Sequence, residues 1–135
     1  MTTITRDQMI NALERARDER GEGFVYTEHY GGENACQYVV ENEDGKAEAA
    51  CIAGNALLRL GVPISVLKKM DVAAEGGASA VMDRRSVATI LLNAGFDLTP
   101  KALLAASYAQ AEQDSGRTWG QAVAEAIAVS KERDE

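Results

Sequence analysis

The chain has 135 residues, 46 % hydrophobic and 26 % charged, with a formal net charge of −7. That length suits one domain whose core needs neither metal nor disulfide, and the composition is that of an ordinary globular protein. Direct nucleic-acid binding is disfavoured, because the acidic balance leaves no cationic footprint, and no apolar run approaches membrane-spanning length.

Aromatic residues are only 5 % and alanine is plentiful, which favours close-packed helices over a large sheet. The N-terminal MTTITRDQ lacks the basic-then-apolar design of a signal peptide, so a cytoplasmic location is expected. Charge is uneven: residues 1–48 hold eleven acids and five bases, net −6, and the remainder nets −1. The plain reading of such an acidic third is a solvated face.

Thr5-Arg6-Asp7-Gln8 has the form of a capping box, with Ile4 and Met9 at the spacing of a hydrophobic staple. A helix should follow to about Arg20, turning Met9, Leu13 and Ala16 inward and ending at Gly21. Phe24-Val25-Tyr26 and Gln37-Tyr38-Val39-Val40 read as two strands joined by a polar, glycine-rich loop over 29–34. Such a hairpin is marginal alone and must lie on the helices. After a turn at Asp44-Gly45, a second helix is expected over 49–60. It reads as ending in a Schellman motif, with Gly61 left-handed and Val62 folded back on Leu57.

Pro63 opens a short helix over 64–70, and residues 71–79, with Gly76-Gly77, read as a mobile surface loop. Asp83 should cap a helix over 84–94 that ends at Gly95, with Phe96 covering Leu91. Thr99-Pro100 starts a helix reaching about Asp114, with Leu98 and Leu103 as its staple. Thr118-Trp119-Gly120-Gln121 is a second capping box, for a helix facing inward through Trp119, Val123 and Ile127. Residues 131–135 read as a fraying charged tail. Two segments echo each other, LLRLGVPISVL and LLNAGFDLTPKAL. They suit a duplicated helical hairpin or a helix-turn-helix, although the missing basic face leaves glycine-capped helix pairs as the plainer reading.

Chemistry centres on Cys51, in the first turn of a helix, where the macrodipole favours a thiolate. Its only available base of the usual kind is the single histidine, His29, and a Cys51–His29 dyad would make a cysteine-dependent enzyme. A small buried thiol on an alanine-rich face is the plainer reading, and is preferred. Cys36 and Cys51 could pair or bind metal, but two cysteines and one histidine without C-x-x-C spacing make a poor zinc site. Reduced, inert thiols are expected, with no metal and no cofactor.

Gly54 interrupts a helix at a cost of ~1 kcal/mol relative to alanine. Something should gain from the missing side chain, either a ligand that the backbone approaches closely or, more plainly, a tightly crossing helix. Gln110, Gln113 and Asp114 concentrate hydrogen-bonding groups at one helix end beside Trp119. They suit a recognition patch with an aromatic anchor, or a loop scaffold with Trp119 in the core; the scaffold is preferred. Tyr26, Glu28, Tyr30, Glu33, Tyr38 and Glu41 form an acidic, tyrosine-rich patch suited to protein binding, unless Tyr26 and Tyr38 are cross-strand partners.

The strand FVY (24–26), CQYV (36–39), the helix C-I-x-G-x-A-L-x-x-L-G-V (51–62) and the block Q-D-S-G-x-T-W-G-x-A (113–122) together carry a resemblance. The chain resembles a family of small uncharacterised proteins from actinobacteria and their bacteriophages, over most of 24–126. Members often read His where this chain has Asn55, which removes one polar partner for Cys51 and weakens a catalytic reading. The resemblance implies a phage or actinobacterial setting, in which a gene of this size often encodes an accessory protein acting on host machinery.

The expectation is one α+β domain over 1–135: about six helices, several short, with a two-stranded antiparallel hairpin packed on them. The expected function is non-enzymatic protein–protein interaction, with a host or phage protein or a second copy as partner. The rivals are the Cys51–His29 enzyme and an acidic DNA mimic that occupies a nucleic-acid-binding host protein.

Overall fold

The computed structural model describes residues 1–30, 37–73 and 84–131. In chain order the described elements are β1 (Thr2–Ile4), α1 (Arg6–Arg20), α2 (Tyr26–Tyr30), β2 (Val39–Glu41), β3 (Ala47–Ala49), α3 (Ile52–Arg59), α4 (Ile64–Ala73), α5 (Arg84–Asn93), β4 (Phe96–Leu98), α6 (Pro100–Asp114) and α7 (Trp119–Ser130). This is a mostly helical α+β domain with seven helices among the described residues, one antiparallel strand pair and one parallel pair.

Local signals set most helix boundaries. Thr5 and Thr118 each complete a capping box, with Gln8 and Gln121 respectively. Thr99 caps α6, with proline in its first turn. Gly61, at φ +99°, closes α3 as a Schellman motif: the Val62 amide donates to the Leu57 carbonyl and the Gly61 amide to that of Leu58, both at 3.0 Å. Helix α6 runs through the middle of the fold, packed against α7, α1, α3, α2 and α5. Its buried face carries alanine at 102, 105, 106 and 109, which lets neighbouring axes approach closely, with Ser107, Gln110 and Gln113 as its buried polar residues. Met9, Leu13 and Ala16 of α1 and Trp119 and Val123 of α7 are buried as expected, while Ile127 is half-buried at the core's edge.

The strands depart from expectation. Phe24-Val25-Tyr26 is not a strand paired with 37–40. Val25 makes a single bridge to Thr118, and Tyr26 begins α2. The carbonyls of Glu22 and Phe24 are already engaged, accepting the Gly120 and Trp119 amides at 2.9 Å each, so they satisfy the first turn of α7 instead of a sheet. The antiparallel hairpin is β2 with β3, in the register Val39↔Ala49, Val40↔Glu48, Glu41↔Ala47. Its turn is held by the Asn42 side chain, which accepts the Asp44 and Lys46 amides, and by Gly45 at φ +79°. Ala49 thus ends a strand, and the helix expected over 49–60 starts at Ile52.

The parallel pair β1–β4, in the register Thr2↔Phe96 to Ile4↔Leu98, has no counterpart in the sequence reading. It also breaks the echo between the two glycine-capped segments: 61–63 is a plain linker, whereas 96–98 is a paired strand. Residues 71–73, expected in a loop, are the last turn of α4. The rest of that loop, the Asp83 cap and the tail beyond Lys131 lie outside the described residues. No helix among the described residues is long and apolar enough to cross a membrane.

Candidate functional site

Two polar assemblies stand out, one inside the fold and one on it. The inner one is built where the end of α6 meets the start of α3. An α-helix begins with amides that have no intrahelical acceptor. In α3 the first three are met by side chains. Gln113 Oε1 accepts Ile52 N–H at 2.7 Å, Gln110 Oε1 accepts Ala53 N–H at 3.2 Å, and Cys51 Sγ accepts Gly54 N–H at 3.3 Å. Gln113 Oε1 also accepts the Trp119 indole N–H at 3.2 Å, which ties α7 into the same node. Both glutamines and Trp119 are fully buried. Asp114 Oδ1 accepts from Gln113 Nε2 at 2.9 Å and Gln110 Nε2 at 3.4 Å. Burial pushes its carboxyl up to about 7, against the pull of those two bonds.

The expected patch of Gln110, Gln113 and Asp114 is therefore real as a cluster, but the glutamines point into the core and are consumed by backbone amides. Trp119 packs edge-on against Phe24, centroids 4.8 Å apart, with the Arg20 guanidinium 4.7 Å above the Phe24 ring. The arrangement works as a scaffold.

Cys51 is a buried thiol in that scaffold, with no exposed surface. His29 lies in α2, exposed, its ring 5.3 Å from that of Phe24. One member of the expected dyad is in the core and the other at the surface. Asn55 turns back on its own helix, donating to the carbonyls of Ala50 and Cys51. Cys36 lies outside the described residues.

Gly54 is explained by neither a ligand nor a crossing helix. A Cβ there would stand 2.8 Å from the Tyr38 carbonyl oxygen, so it is the chain entering β2 that needs the space. That chain is held from the other side by Asp71 of α4, whose carboxylate accepts Tyr38 N–H at 2.7 Å and Val39 N–H at 3.0 Å. Desolvation raises the Asp71 pKa, and these two bonds oppose it. Asp71 went unnoticed in the sequence, where a lone aspartate ahead of Gly76-Gly77 reads as loop.

The outer assembly is an open groove of about 540 Å³ between the end of α1, α2 and the β2–β3 hairpin. Arg20 and His29 line it together with Val40, Glu41, Asn42, Glu43, Asp44 and Glu48 of the hairpin. Glu41, Glu43 and Asp44 are exposed and Glu48 is half-buried. Of the expected acidic, tyrosine-rich patch, Glu41 lines this groove and Glu28 is exposed on the neighbouring α2. Tyr26 and Tyr38 are corrected: they are 1 % and 2 % exposed, belong to the core, and are not cross-strand partners. The reason for Tyr26 is local, since its hydroxyl accepts the Gln37 amide at 3.2 Å and pins the start of the hairpin segment. Glu33 and the Tyr30 side chain lie outside the described residues. The groove's Glu43 and Glu48 were visible in the sequence only as charge density, and Asp44 only as a turn residue. Arg20 was visible only as the last residue of a helix.

No family model matches the chain, and neither a curated protein nor a solved structure matches it.

Proposed function

We propose that this chain is a non-enzymatic accessory protein of phage type that acts in the host cytoplasm by binding another protein, and that the hairpin groove is the contact. The observation that carries the reading is the groove itself: four carboxylates, Glu41, Glu43, Asp44 and Glu48, converge on one concavity next to a single arginine and a single histidine. Such a surface is complementary to a lysine- or arginine-rich segment, and charge complementarity chiefly sets association rate and partner choice. The turn that presents these acids is held by the Asn42 side chain, so the charges are displayed on a formed structure. The burial of Cys51 and the consumption of Gln110 and Gln113 as caps both favour binding over catalysis.

The test is an affinity capture from actinobacterial lysate with wild type and with a Glu41→Lys, Glu43→Lys, Asp44→Lys triple variant. All three positions are exposed, so the variant should keep the wild-type melting temperature. Capture of one stoichiometric basic protein by wild type, lost in the folded variant and weakened by salt, supports the reading. Equal capture by both proteins refutes the groove as the contact. Release of the partner by duplex DNA would redirect the reading to DNA mimicry, and a concentration-dependent dimer abolished by the variant would make the partner a second copy.

A further inference from the structure

Asp114 is the last residue of α6, and its two oxygens have unequal surroundings. Oδ1 accepts both glutamine amides, whereas Oδ2 is buried and accepts no hydrogen bond from any described residue. An ionised carboxylate here would leave half its acceptor capacity desolvated and unpaired, at the carbonyl end of a helix that already carries partial negative charge.

Among the described residues, the surrounding elements do not offset that charge. Arg20 of α1 is over the Phe24 and Trp119 rings, at 4.7 and 5.9 Å. Tyr26 of α2 and Cys51 ahead of α3 are buried titratable side chains on elements that pack against α6. Glu112 of α6 pairs with Arg117 at 3.8 Å, α5 turns Val87 and Leu91 inward, and α7 brings the uncharged Trp119 indole to Gln113. Burial is the dominant influence on the carboxyl, and no charged neighbour contributes to its shift.

The same two glutamines that donate to Asp114 hold the Ile52 and Ala53 amides with their other ends. Asp114 is thus one side chain removed from the first turn of α3, and β3 runs into that turn through only Ala50 and Cys51. We propose that Asp114 is a proton-operated latch on the start of α3. As a carboxylic acid it accepts only weakly from Gln110 and Gln113 and leaves them seated on the Ile52 and Ala53 amides. When the proton leaves to bulk water, Oδ1 pulls harder on both glutamine Nε2 groups while the unpaired Oδ2 draws solvent into the α6–α3 junction, so the glutamine caps and the root of the hairpin loosen together. The device is independent of what the groove binds.

Native-state hydrogen exchange on the full chain reads the latch directly. From about pH 5.5 to about pH 8.5, protection at Ile52 and Ala53, corrected for intrinsic exchange, should fall at least about tenfold more than protection at Val123 in the α7 core. In Asp114→Asn that excess should vanish. Equal falls at all three amides in wild type, or an unchanged excess in the variant, overturns the proposal. If the variant does not fold, a carboxyl ¹³C titration of native wild type decides. A midpoint for Asp114 at or above about 6 that coincides with the loss of Ile52 and Ala53 protection supports the latch, and a midpoint below about 6, or a loss of protection that does not follow it, overturns it.

Discussion

A methyl group on Gly54 would stand 2.8 Å from the carbonyl oxygen of Tyr38, closer than side-chain carbons approach backbone oxygens. That oxygen also accepts the Ala50 amide at 2.9 Å, so it cannot withdraw without loosening the hairpin. Gly54→Ala should therefore destabilise the protein, even though alanine is the better helix former by ~1 kcal/mol. Overpacking typically costs ~1–3 kcal/mol, enough to reverse the sign. Calorimetry should show a lower melting temperature; an equal or higher one would mean that the strand yields freely.

Trp119→Ala should leave a marginal or unfolded chain. The side chain is fully buried, and truncating such an aromatic costs ~3–5 kcal/mol against a typical total of ~5–15 kcal/mol. A melting temperature close to wild type would contradict its place in the core.

The two glutamines should differ. Each substitution removes one donor to Asp114; beyond that, Gln113→Leu strands two buried donors, the Ile52 amide and the Trp119 indole N–H, and Gln110→Leu strands one, the Ala53 amide. With ~1–3 kcal/mol for each orphaned buried donor, urea denaturation should rank Gln113→Leu as clearly the more damaging. Equal losses would mean that water replaces these acceptors at no cost.

Stability should also depend on pH through Asp114. Its pKa lies at about 7 in the folded state against an ordinary 3.8, so the folded protein holds a proton that the unfolded chain has released. Below about pH 4 both states are protonated and the contribution is fully present; it is lost as pH rises through about 7. The melting temperature should accordingly be higher near pH 5.5 than near pH 8 as far as this group is concerned. Asp114→Asn should narrow the difference, and an unaltered difference would place the titration elsewhere.

Cys51 should resist alkylation in the native state. In a Cys36→Ser background, iodoacetamide near neutral pH should label it only when the chain is unfolded, because the sulfur has no exposed surface. Rapid native labelling would revive the nucleophile reading.

The sequence disclosed those parts of the fold whose cause is local. Thr5 with Gln8, Thr118 with Gln121, Thr99 before Pro100 and Gly61 before Val62 all act within a few residues, and each sits where its pattern indicates. The strand expected at Phe24-Val25-Tyr26 had the right residue types but no strand partner, because its backbone serves the first turn of α7. Three-residue strands such as β1 and β4 are too short to show a period. The inner cluster was legible as a group of polar residues. Its purpose was not, since the Gln113–Ile52 bond spans 61 residues and leaves no local trace. The groove was legible as acidity and needed the fold to gather that acidity around one concavity.

The parallel pairing of Thr2–Ile4 with Phe96–Leu98 bears on the order in which the chain can be completed during synthesis. The first strand emerges early and finds its partner only when Leu98 has left the ribosome. Meanwhile α1, whose packing partners include α3, α6 and α7, has only the first of these available. The part of the α1 surface that α6 and α7 cover thus stays open until the last third of the chain is made. The β1–β4 pairing closes a loop of more than ninety residues, so it is a non-local contact that forms late relative to the capped helices.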